Sequence, residues 1–564
     1  MAFGFLGKLR KKSPLNNVAT MDVDKESQRS CSSMKTIASS STVVQVPSAP
    51  KIDIFRGDKV AQDAHDYEKS MSMRYAFRHW LLFLIAASNM AAPLFNESYE
   101  TSLFPNLFSY ECLKEVYGTK SPNGSEYTIS ALRQASIPIA AACCRLGGLW
   151  LAPWAIHCWG SWGYTGSNYL GIALLFTFTG ARFVSIAVRD PLAVVIVLQV
   201  PMGIAWGLYQ GLTLPYISDT TPLKLRGPAT AMLNVFWLVG QLVSFSVLWG
   251  SKEIEGEDQC VSLLTTPWFF LIPLLFTAAF VFPSPPISVR KGKEHEANCF
   301  YEVAIRDPAF CADGARAVIR AVDEYEKQTS ESTGILSCFR GTNLRRTEIT
   351  VVISVMQQLL GAPIIFYSVK LLQIYGLSQK GAIAVYVAIT AMGILSTIFS
   401  MILMTGVGRR TMWLWGMAAE FACLVSIGTL SLFSADGAGN FKRVVYFISI
   451  LFAGFYNFTI GPIGHTIVAE IPATRLRVVT TAIARSPCVV ISVVLLLLGE
   501  NLFESKLFGW EFCALAALSW AGLAALGFVW AWFRLPETKD RSNAETAVLF
   551  ASKVPAWKWR KTVV

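Results

Sequence analysis

Residues 382–405 read AIAVYVAITAMGILSTIFSMILMT, 24 residues without an acid or a base. As a helix rising 1.5 Å per residue, such a stretch is about 36 Å long, enough to cross the roughly 30 Å hydrocarbon core of a bilayer. Eleven more apolar runs surround it. Upstream lie 80–104, 131–153, 169–188, 191–214, 229–249 and 267–281, then a polar interval from Pro283 to Thr347, then 349–374. Downstream lie 412–433, 444–466, 478–499 and 510–533. The run at 191–214 is set off from its predecessor by Arg189-Asp190 alone. Six runs, a polar interval and six more predict an all-α membrane protein of twelve transmembrane helices in two six-helix bundles.

The composition agrees. Of 564 residues, 53% are hydrophobic and 15% charged, against about a quarter charged in ordinary soluble proteins. A mean hydropathy of +0.44 excludes a soluble enzyme, a disordered chain and a secreted disulfide scaffold. The net charge of +11 sits mainly beside the apolar runs, where it sets topology rather than attracting nucleic acid. Cations crowd the lead-in (Lys8, Arg10, Lys11), the central interval (Arg290, Lys291, Lys293, Arg316) and the tail (Arg534, Lys539, Arg541), as well as alternate short loops. The positive-inside rule therefore expects both termini and the centre in the cytosol. The expected host is the plasma membrane.

The chain divides into a polar lead-in at 1–75, without an apolar signal segment and expected to be disordered; a bundle at 76–282; a cytosolic loop at 283–347; a second bundle at 348–534; and a tail at 535–564. The sequon at Asn123 falls on the expected outer face and is a glycosylation candidate. Cys112 and Cys260 fall on the same face, where a disulfide between them is an open option. No zinc-type cysteine spacing, phosphate-binding loop or hydrolytic triad stands out, so no metal, cofactor or enzymatic activity is expected, nor any obligate protein partner.

Charges inside spans are costly and each calls for a reason. Glu97 and Glu100 share a helix face in the first span, either as proton acceptors or in outside water at an early helix end. Arg145 in the second span is a substrate donor or the ion-pair partner of Glu100. Gln210, Gln241, Gln357 and Gln358, with Trp206, Tyr216, Trp237 and Tyr367, suit a polyol: amides both donate to and accept from hydroxyls, and aromatic faces stack on sugar C–H faces. The bland alternative is that these amides bond helix to helix. His465 is either a proton relay and pocket residue or a neutral core histidine.

The short loops carry a resemblance. Pro215-Tyr216-Ile217-Ser218-Asp219-Thr220-Thr221-Pro222 through Arg226-Gly227 resembles the signature after span four of the sugar porter family, in the major facilitator superfamily. Gly408-Arg409-Arg410, Gly461-Pro462 through Glu470 to Arg475 and Arg477, Pro536-Glu537-Thr538-Lys539 and Gln357-Gln358-Leu359-Leu360-Gly361 are similar to further motifs of that family. Trp206-Gly207-Leu208-Tyr209-Gln210, Trp237 through Gln241, Ala482-Ile483-Ala484-Arg485 and Glu97-Ser98-Tyr99-Glu100-Thr101 look like the fungal maltose-type α-glucoside permeases.

This resemblance implies the major facilitator fold and a secondary carrier moving a sugar together with a proton. It casts Glu100 in proton coupling, Gln357 and Gln358 in sugar binding, and Arg485 as a further charged candidate. Asp219, Arg226, Arg409, Arg410, Glu470, Arg475 and Arg477 would be the cytosolic gate charges. Departures leave two other readings: a sugar sensor of the same fold, or a carrier of another small polar metabolite. The loop between spans two and three reads Gly160-Ser161-Trp162-Gly163 without the family's acid and arginines, which should weaken the outward-facing state. Pro363 and His465 replace an expected Asn and an aromatic, and Thr405 replaces an Asp.

Overall fold

The computed structural model describes residues 54–107, 118–120, 127–128, 131–181, 191–251, 257–305, 307, 309–329, 334–366, 378–433, 439–504 and 510–563. Asn123, Tyr367 and Cys112 lie outside them, and Cys260 is described by its backbone alone. Twenty α-helices follow among the described residues. The first half holds α1 Lys59–Ser70, α2 Met73–His79, α3 Leu81–Ala91, α4 Pro93–Leu107, α5 Ala131–Trp159, α6 Gly163–Ala181, α7 Pro191–Thr220, α8 Leu223–Gly250 and α9 Glu257–Thr277. The centre holds α10 Pro285–Arg290, α11 Glu294–Ala304 and α12 Ala312–Thr329. Then come α13 Gly341–Phe366, α14 Gln379–Gly406, α15 Arg409–Phe433, α16 Gly439–Phe458, α17 Ile460–Glu470, α18 Arg477–Glu504, α19 Trp510–Arg534 and α20 Asn543–Ala551. A two-residue antiparallel pair, β1 Thr119–Lys120 and β2 Tyr127–Thr128, lies between α4 and α5.

Every expected apolar run falls on helix within the described residues, and eight helical stretches are long and apolar enough to cross a bilayer. The run at 191–214 is a helix of its own, continuing six residues further as α7. Two spans are broken, each at a proline. Pro93 opens α4 after Ala92, a position where its missing N–H costs nothing. Pro462 collides with a helical carbonyl four residues back, and α16 ends there, at Phe458. Thr459 bridges the break at φ −126° and ψ −79°. Within the first bundle, α5 and α7 meet backbone to backbone: a Cβ on Gly207 would lie 2.1 Å from the Arg145 carbonyl oxygen.

The halves join where α5 packs on α18 and where α8 packs on α14 and α17. Asn234 donates across that seam to Thr397 Oγ1 (2.9 Å) and Asn457 Oδ1 (3.1 Å), and Thr230 and Thr466 share a hydrogen bond of 2.9 Å. Phe245 and Tyr386 close it toward the other end, with ring centroids 4.1 Å apart.

The basic end holds a surprise. From Ile54 onward, the lead-in expected to be disordered is folded, and three helices replace the expected central loop. Helix α1 packs on α12, which packs on the tail helix α20. Ile54, Phe55, Ala61, Val322, Ala544 and Val548 form one apolar cluster. Lys69 pairs with Glu545 at 2.8 Å, and Tyr67 and Tyr75 both donate to the Asp307 carboxylate. Burial in this cap lowers the pKa of His65 below its ordinary 6.5.

Candidate functional site

Two polar clusters face each other from the two halves. In the first, α4 presents Glu97, α5 presents Arg145 and α7 presents Gln210. Arg145 Nη1 lies 2.8 Å from Glu97 Oε1, and Gln210 Nε2 donates to the same oxygen at 2.7 Å. Glu97 is fully buried, and its Oε2 has no hydrogen-bond partner among the described residues. The pair expected between Arg145 and Glu100 thus forms with Glu97. Residues three apart on a helix point about 60° away from each other, so one guanidinium reaches only one of these carboxylates head-on.

In the second cluster, Gln357 on α13 donates from Nε2 to the Gly461 carbonyl at 2.5 Å, and its Oε1 accepts from Arg485 on α18 at 3.5 Å. Arg485 Nη2 lies 2.6 Å from His465 Nδ1. A guanidinium only donates, so Nδ1 accepts, which puts the proton of a neutral ring on Nε2. Tyr456 donates to the Gln357 backbone carbonyl at 2.8 Å. A side chain at Gly464 would meet the Gln357 amide at 2.6 Å, so glycine is what lets the amide lie against α17. The clusters interact: Glu97 and Arg485 lie close enough for their charges to be felt. The combined set offers one carboxylate, two guanidiniums, two amides and an imidazole, a surface that donates and accepts hydrogen bonds as a polyhydroxyl solute requires.

Other candidates are placed elsewhere. Gln358 donates to Ser492 Oγ (2.8 Å), a helix-to-helix bond. Trp206 donates to Asn96 Oδ1 (3.1 Å) and is buried in the core of the first bundle. Gln241 is buried, and its Oε1 has no hydrogen-bond partner among the described residues. Tyr216 does not line the middle of the span: its hydroxyl accepts from Phe282 N (3.2 Å) near the basic end, because α7 is long enough to carry it there.

The gate charges form a latch only in part. Arg477 of the second half pairs with Asp219 of the first, and Arg226 and Arg477 both donate to Asn543 of the tail at 3.2 Å. Arg409 and Glu470 pair at 3.2 Å, both within the second half. Arg410 instead donates to the Trp532 carbonyl (2.7 Å) and lies over its ring, so it is no latch element. Arg475 contributes its backbone N–H to Glu326, which also accepts from the Thr474 backbone. At the loop between spans two and three, Lys291 donates to the His157 carbonyl and Lys293 to Ser161 Oγ, each at 3.3 Å. Sequence reasoning missed Arg290, Glu326 and Asn543, which tie centre and tail into the latch. It also missed Glu420, an acid inside an apolar run whose signal was open to view.

Two helical halves with polar clusters between them define the class: a membrane protein of the major facilitator fold. The solved structures bear out that fold. The chain overlays the proton:xylose symporter XylE bound to 6-bromo-6-deoxy-D-glucose with a TM-score of 0.69 at 17% identity, covering 84% of this chain and all of that one. The inward-open xylose transporter XylE from E. coli gives 0.56 at 15% identity, covering 83% and 98%. The sequence profile of the sugar (and other) transporter family matches residues 109–550, and the chain belongs to that family. Its relatives include the general alpha-glucoside permease of Saccharomyces cerevisiae, 27% identical over 515 residues (89% of this chain, 81% of that protein), and the maltose permease MAL31 of the same yeast, 26% identical over 511 (89% and 81%). These relatives are permeases, not enzymes.

Proposed function

We propose that this protein is a plasma-membrane α-glucoside:proton symporter with both termini in the cytosol, working by alternating access between halves at 76–282 and 348–534. The observation that carries the reading is the pair of facing clusters, Glu97–Arg145–Gln210 and Gln357–Arg485–His465, of which Glu97, Arg145 and Gln357 are buried and the rest half-buried. Amides and guanidiniums hold the sugar hydroxyls. Glu97, whose charge Arg145 balances, takes the proton: protonation releases Arg145 and so links proton binding to the geometry of the sugar site. The likeness to α-glucoside permeases supports the substrate class. The latch through Asp219 and Arg477 supports a state closed at the cytosolic end.

Radiolabelled maltose uptake in a host lacking its own α-glucoside carriers tests this. Accumulation that a protonophore abolishes, and that Glu97→Gln removes while leaving counterflow, is the expected result; no uptake of any α-glucoside rejects it. One observation favours a second substrate class. Two guanidiniums against one carboxylate leave the site one positive charge in excess, which suits a hydroxylated solute bearing a carboxylate. Competition by sugar acids but not by neutral sugars would select that class.

A further inference from the structure

Helix α15 carries an acid that the proposed cycle does not use. Glu420 is fully buried, and neither of its carboxylate oxygens has a hydrogen-bond partner among the described residues. An ionised carboxylate is strongly disfavoured when left so in an apolar interior, so a bare anion is not a stable occupant of this position. Among the described residues, its titratable surroundings come from α15 itself and from the helices packed on it, α16, α17 and α19. On its own helix the titratable neighbour is Cys423, one turn on. From α16 comes Tyr456, close enough to sense its charge. From α17, His465 is engaged by Arg485. Helix α19 carries no Asp, Glu, His, Lys or Arg between Glu511 and Arg534, and a single thiol, Cys513. Among the described residues no cation answers Glu420.

Its position is mechanically pointed. One turn earlier, Gly416 lies against the break in span ten: a Cβ there would meet Thr459 Oγ1 at 2.3 Å. Helix α17, beyond that break, carries Gly461, Gly464 and His465, the wall of the candidate site. Tyr456, just before the break, holds the Gln357 backbone. Glu420 therefore sits behind the joint on which one side of the site turns.

We propose that Glu420 is a second proton-binding carboxyl, holding a proton while α17 is seated on α15 and releasing it when movement at Thr459 lets water in. The step is an acid–base exchange: the carboxylate takes one proton from water as the joint closes and returns it as the joint opens. It rests on the carrier reading for its place in a cycle, but protonation in the closed state stands independently of what is carried.

The test has two arms on the full-length purified protein. Infrared spectroscopy reads the carbonyl stretch of un-ionised carboxylic acids at neutral pH. The band is expected in the unmutated protein and diminished in both Glu420→Gln and Glu420→Met, the latter guarding against failure of the amide to fold. An unchanged band in a folded variant overturns the proposal, whatever the substrate proves to be. In proteoliposomes, Glu420→Gln is expected to lower proton-driven accumulation at least tenfold while counterflow stays within twofold. A lost band with unaltered accumulation would make Glu420 a static acid and overturn its exchange role. Wild-type protein that shows the band but no accumulation of any solute would fault the carrier reading instead.

Discussion

Glu97 and Arg145 are a buried pair whose partners depend on each other. Removing one charge leaves the other stranded, so Glu97→Leu should lower stability by about 3–5 kcal/mol, whereas the double replacement Glu97→Leu with Arg145→Met should recover most of it. Thermal unfolding in detergent checks this; additive losses would mean the pair contributes nothing as a unit. His465 holds Arg485 toward Gln357, so His465→Ala should raise the transport KM on the order of tenfold, about 1.4 kcal/mol, with less effect on the maximal rate. A change confined to the maximal rate would argue that the imidazole moves protons instead. Much at this scale was readable from residue types, since an acid, an arginine and amides inside apolar runs declare themselves. Which carboxylate met Arg145 was not readable, because helix phase decides it and sequence spacing does not.

Elements were legible in proportion to their hydropathy. Within the described residues the twelve apolar runs fall on helix, including the run at 191–214 that became α7. Helices α1 and α12 were overlooked because their apolar residues form a stripe one side wide; Val318 and Val322 of α12 sit one turn apart in a segment that otherwise reads as polar. The broken span ten is where sequence and mechanics meet. Gly464 lets Gln357 lie against α17, so Gly464→Val should abolish uptake while leaving the protein at the cell surface at near-normal levels. Surface biotinylation beside uptake decides; full transport by the variant would show that Gln357 need not touch this helix.

Across the whole molecule, the basic end is a composite of lead-in, centre, both bundles and tail. Breaking its central pair with Asp219→Asn should part the halves there. A cysteine placed at the buried Ser218 is then expected to react with a maleimide on the order of ten times faster, the factor that about 1.4 kcal/mol produces. An unchanged rate would mean that the latch lies elsewhere. Acidity should act on the same cap. Burial lowers the pKa of His65, so the released lead-in binds a proton more readily than the docked one. Docking is therefore strongest above about pH 6.5 and weakens as the pH falls, and His65→Phe should remove that dependence. Hydrogen exchange over Lys59–Ser70, followed from neutral to mildly acidic buffer, measures it.

Asn543 of the tail touches one arginine from each half, and Ser542 and Glu545 beside it lock the start of α20. Each turnover that separates those arginines must therefore tug on the last twenty-odd residues of the polypeptide. A dye attached to that helix would brighten or dim in step with the working cycle, giving a readout of single strokes without any labelled solute.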